Sequence, residues 1–132
     1  MTWLDLTENP EAVNSTFEEV PSLTDVEIVR VVLERDGPTV EIDAALNQRP
    51  DKISKRLQSA GANAVTLRLQ LLGVESVSLE GWETENRATV EIRPGVSSRI
   101  GVSVAGPHIR LSCNCSWVRI AGLTAYRRES RV

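Results

Sequence analysis

The fold is decided by Asp25-Val26-Glu27-Ile28-Val29-Arg30-Val31-Val32-Leu33-Glu34, then Arg35-Asp36-Gly37-Pro38, then Thr39-Val40-Glu41-Ile42-Asp43-Ala44-Ala45-Leu46. Both flanks are rich in β-branched residues, which fit a pleated surface. The second flank alternates apolar and polar, as a strand with one buried face does. Asp36-Gly37-Pro38 is turn chemistry. The stretch predicts two strands joined as a hairpin.

Downstream the same two-residue period returns. It marks strands at 64–71, 75–80, 88–93, 99–104, 108–113 and 116–120, separated by turn residues such as Gly73, Pro94-Gly95 and Gly106-Pro107. About eight strands at this spacing predict a mainly β (α+β) chain. The expected architecture is an antiparallel meander forming a sandwich or a strongly curved sheet. Thr66, Arg68 and Gln70 fall on the wet face, as do Glu91, Arg93, Arg110 and Ser112. That face reads either as solvated cross-strand pairs or as a binding surface.

Upstream, Asn9-Pro10 followed by residues 11–19 predicts a short N-terminal helix. Asn9 would cap it, Pro10 and Glu11 suit its first turn, and Val13 and Phe17 share a face. Pro21 would end it. Residues 47–63 form the least regular stretch, a crossover loop with helical turns at 51–57 that place Ile53 and Leu57 on one side.

A chain of 132 residues, 41% hydrophobic and 25% charged, suits one domain spanning residues 1–132. No apolar run approaches the ~20 residues of a membrane helix. The first six residues lack the positive and apolar regions of a secretory leader, so a cytoplasmic location is expected.

The net charge of −3 conceals a split. Up to Asp43 there are eleven acids against two bases, a net of −9, and the remainder carries +6. Such a dipole points to a charged partner and turns phosphate away from the first third.

Catalytic and metal-binding patterns are sparse. The chain has no glycine-rich phosphate loop, serine elbow or paired-histidine motif, and His108 is its single histidine. No spacing singles out a carboxylate pair. Cys113-Asn114-Cys115 is too tight for a relaxed disulfide and lacks partners for a metal, so it reads as two small side chains buried on one sheet face. Five aromatic residues offer little stacking platform for nucleic acid. The basic tail at 126–131 reads as a solvated terminus. Trp82, between Gly81 and the acidic Glu83-Thr84-Glu85, is the type of side chain that anchors protein interfaces.

Several short motifs stand in a telling order. They are Trp3, Asn9-Pro10, Phe17, Pro21-Ser22-Leu23 leading to Asp25-Val26, and Arg35-Asp36-Gly37. Asn63, Val65, Leu67 and Leu69 follow, then Gly73-Val74 and Leu79 with Gly81-Trp82. In this the chain resembles the immunity protein 50 family of small bacterial proteins from polymorphic-toxin loci. The resemblance implies an inhibitor that binds and neutralises a cognate toxin, protecting the producing cell in bacterial competition. It implies no cofactor, metal, catalytic residue or membrane partner. An acidic inhibitor is steered to a basic toxin. The expected contact set is therefore Glu8, Glu11, Glu18 and Glu19 with Trp82, Glu83 and Glu85. The alternative is a small-ligand or carbohydrate-binding β-module without catalysis, for which the sequence offers no convergent aromatic pair. Edge strands leave a homodimer open.

Overall fold

The computed structural model describes residues 2–52 and 54–128. Among them, nine strands form one sheet: β1 (Thr7–Glu8), β2 (Val26–Glu34), β3 (Thr39–Ala45), β4 (Ala64–Leu72), β5 (Ser76–Glu80), β6 (Arg87–Pro94), β7 (Ile100–Ala105), β8 (Arg110–Cys115) and β9 (Trp117–Tyr126). Two short helices, α1 (Glu11–Asn14) and α2 (Lys55–Ser59), lie between strands. The chain is mainly β, as its two-residue period predicts.

The strand order is β1-β9-β4-β3-β2-β6-β7-β8-β5. Two consecutive three-stranded runs, β2-β3-β4 and β6-β7-β8, are antiparallel meanders. The connections between them are not. β9 returns across the chain to pair with β4, and β5 pairs with β8. In place of the expected antiparallel meander, as a sandwich or strongly curved sheet, the strands form one mixed sheet, because β9 and β5 pair with distant strands and β1 runs parallel to β9. The halves meet where β2 pairs with β6 over two residues, Val26 with Ala88 and Glu27 with Arg87.

The expected hairpin forms, with Glu34 opposite Thr39 at its closed end. A register shift between Ile28 and Arg30 bulges β2 at Val29. Val40, Ile42 and Ala44 point inward and are buried, as are Val65, Leu67, Leu69 and Leu71 of β4. They share one core with Val90 and Ile92, Val102 and Val104, and Leu111. Both halves of the sheet thus cover the same apolar interior.

The N-terminal helix is shorter than expected. It stops at Asn14, and the Ser15 and Thr16 hydroxyls donate back to the Glu11 and Ala12 carbonyls. Such local bonds compete with helix continuation. Val13 and Phe17 are nonetheless buried. Asn9 does not cap the helix. It adopts φ 64°, and its amide donates to the Ile120 carbonyl. In the crossover, Ser54 caps α2 by accepting from the Leu57 amide. Ile53 lies outside the described residues, as do residues 129–131 of the basic tail.

Candidate protein-binding surface

The wet face of β2, β3 and β4 is internally paired. Arg30, Asp43 and Arg68 stand in one cross-strand row. Arg68 Nε and Nη2 donate to the two Asp43 oxygens at 2.9 and 3.1 Å. Arg30 reaches Asp43 at 3.5 Å and Glu41 at 3.2 Å. The hydrogen bond to Asp43 holds the Arg68 proton more firmly than usual. Two cations and two anions cancel here, the cross-strand pairing expected of a solvated face. Beside them, Gly122 has open space where a side chain would stand.

The cysteines behave as small apolar groups. Cys113 and Cys115 are free and buried on the inner face of β8. The hydrogen bond to Cys115, together with burial, pushes the Cys113 thiol up. Among the described residues no group of three or more His, Cys, Asp or Glu side chains is placed to hold a metal ion.

The sheet differs at its β5 end. β5 is last in the strand order and pairs only with β8. All five of its residues are exposed. Val77 and Leu79, registered against Cys113 and Leu111, are 38% and 40% exposed, and Trp82 just beyond is 51% exposed. Alternation alone would place Val77 and Leu79 inside. The core ends at β8, so they lie partly bare.

The turn that carries Trp82 is built rigidly. Gly81 adopts φ 78°, and a side chain there would collide with the His108 carbonyl. Only glycine meets both conditions without strain. Asn86 is buried and closes the other end. Its Oδ1 accepts from the Glu83 amide at 2.8 Å, and its Nδ2 donates to the Glu83 carbonyl at 2.6 Å. Its backbone amide donates to Glu27 Oε2 at 2.8 Å, and its carbonyl accepts from the Ile28 amide at 2.9 Å. Sequence reasoning missed Asn86. The available signal was an asparagine four residues after Trp82, in a segment without period, where such side chains close turns.

Glu83 and Glu85 line a concavity of about 560 Å³ with Thr84, Arg87, Pro107 and His108. The other candidate acids lie elsewhere. Glu8 sits in β1, opposite Arg119 of β9, and Glu11 opens α1. The Glu18 amide donates to Asp51. All four N-terminal acids are exposed. The sheet therefore gathers Trp82, Glu83 and Glu85 at the β5 end, while Glu8 is at the opposite edge of the strand order.

Among the described residues no helix is long and apolar enough to cross a membrane. A family model described as immunity protein 50 matches residues 9–126. No curated protein matches the chain, and no solved structure does.

Proposed function

The chain belongs to the immunity protein 50 family, and from that premise we propose that it binds a cognate protein toxin and neutralises it by occupying the toxin's surface. The observation that carries the surface assignment is Trp82. It is half exposed on a turn locked by Gly81 and Asn86, between β5, whose Val77 and Leu79 are partly exposed, and the acids Glu83 and Glu85. A rigid aromatic in a partly apolar patch is what interface energetics favour, since ordering it on binding costs little entropy. Family membership points to a binding role rather than a catalytic one.

The acids divide into two tasks under this proposal. Glu83 and Glu85 flank the contact. Glu8, Glu11, Glu18 and Glu19 act at a distance, through the −9 charge of the first third, to steer a basic toxin. Residues that only steer change association and leave dissociation nearly untouched.

The test is co-expression of the chain with the C-terminal domain of the protein encoded immediately upstream. The proposal expects a stable co-purified complex and survival of cells carrying that domain. Lysine at positions 8, 11, 18 and 19 should slow association at low salt. Free passage of the two proteins through a sizing column as separate species would refute the proposal.

A further inference from the structure

We propose that the partner binds by adding an extended, basic strand to the open edge of β5, a mode of docking that rests on the toxin-binding reading above. The hydrogen-bond parity of the sheet shows which groups are offered. The Gly106 amide donates to the Ile109 carbonyl, so Gly106 and Ile109 form a directly bonded pair at the β7–β8 turn. Bonded and non-bonded pairs alternate along an antiparallel ladder. The main chains of Leu111, Cys113 and Cys115 therefore bond β7, and those of Arg110, Ser112 and Asn114 turn toward β5. The Asn114 carbonyl accordingly turns toward β5, where it accepts from the Glu75 amide; Glu75 and Ser76 thus both address Asn114, an irregularity at the start of the strand. In β5, Ser76, Ser78 and Glu80 face those three residues. Val77 and Leu79 are left with their amides and carbonyls pointing away from the sheet.

From Val77 to Leu79 this edge carries no charged residue, proline or bulge. Residues 76–80 read Ser-Val-Ser-Leu-Glu, and their register against β8 is unbroken. Of the other open stretches, β6 is met by the Leu23 carbonyl at its Val90 amide and β9 by the Asn9 side chain at Ile120, and two more are blunted. β1 is two residues long, and the stretch of β2 beyond Glu27 carries the Val29 bulge and Arg30. An unprotected edge with exposed Val77, Leu79 and Trp82 offers both parts of strand addition: main-chain bonds for affinity and side-chain contacts for specificity.

Charge selects the occupant. Glu75 precedes the five-residue strand, Glu80 ends it, and Glu83 and Glu85 follow in the next turn. Arg99 binds Glu75 at 2.6 Å, and Arg110 stands opposite Glu80. A second copy pairing here would crowd both sets of glutamates onto one short ribbon. Four acids against these two arginines leave a net negative charge around the edge, from which a strand bearing lysine or arginine gains.

The experiment uses the full chain and the C-terminal domain of the upstream-encoded protein. Amide exchange is followed at Val77 and Leu79, and affinity is measured for Val77→Pro against Val77→Ala. Proline at 77 removes an outward amide and leaves the β8 bonds intact. We expect both amides to slow on complex formation, and Val77→Pro to bind roughly tenfold more weakly than Val77→Ala. A complex in which both amides exchange as fast as in the free chain overturns strand addition and leaves toxin binding standing. Absence of any complex with the unmodified chain overturns both. Should Val77→Pro fail to fold, exchange in the unmodified chain decides. A concentration-dependent dimer that protects the same amides would overturn the choice of occupant.

Discussion

Asp43 and Arg68 face each other across β3 and β4, joined by two parallel hydrogen bonds of 2.9 and 3.1 Å. The aspartate is nearly buried, while the arginine side chain remains 46% exposed. A forked guanidinium matches a carboxylate in this geometry, and a lysine does not. Replacing Arg68 with leucine leaves a buried carboxylate with only Arg30 to oppose it. Urea unfolding should show Arg68→Leu less stable than the parent. Adding Asp43→Asn should recover part of the loss. Additive losses from the two substitutions would show that the pair is not coupled.

Asn86 should matter more than its small side chain suggests. Asn86→Ala removes both side-chain bonds to Glu83 and leaves the part-buried Glu83 amide and carbonyl without those partners. The expected cost is about 1–3 kcal/mol. In a variant whose only tryptophan is Trp82, its fluorescence anisotropy should fall as the turn loosens. Unchanged anisotropy would mean the turn is held without Asn86.

The buried thiols give a pH prediction. The Cys113 thiol is held above its ordinary value in the folded chain, by its bond to Cys115 and by burial. Unfolding releases it to ionise near the usual thiol pKa of about 8.5. Below that pH the protonated thiol's contribution is fully present. Above it the unfolded chain loses protons first, so stability declines as pH rises. The slope from this group should be at most about 1.4 kcal/mol per pH unit. The same bond lowers the Cys115 thiol, which acts in the opposite sense below that pH; denaturant titrations above about pH 8.5 should therefore show the decline, and Cys113→Ala should flatten it. A thiol reagent should label neither cysteine without unfolding.

Leu69 lies fully inside the core on β4. Leu69→Ala should cost about 2–5 kcal/mol. A smaller loss in calorimetry would indicate that the interior can collapse around the missing side chain.

Much of this fold was legible because burial writes a two-residue period into the sequence. The core faces of β4, β6 and β7 follow that rule closely, whereas β2 loses it at the Val29 bulge and β3 is buried on both faces along most of its length. β1 was hidden, since two residues carry no period. β9 runs to Tyr126 because its ladder with β4 shifts register near Gly122 and then resumes, whereas alternation marked its end at Ile120. The order of the strands was invisible, because it depends on β9 and β5 closing against distant partners. At the candidate site, Trp82 and its acids stood out as an aromatic in an acidic turn. The exposure of Val77 and Leu79 did not, since an apolar residue at an edge looks the same in sequence as one inside.

The proposed binding of a toxin domain through Trp82 is open to direct measurement. Calorimetric titration of the C-terminal domain of the upstream-encoded protein with the wild-type chain and with Trp82→Ala tests it most directly. We expect a one-to-one complex that Trp82→Ala weakens by roughly thirtyfold, the loss of an anchor worth about 2 kcal/mol. No heat of binding with the wild-type chain, or equal affinity for a folded Trp82→Ala, would contradict it.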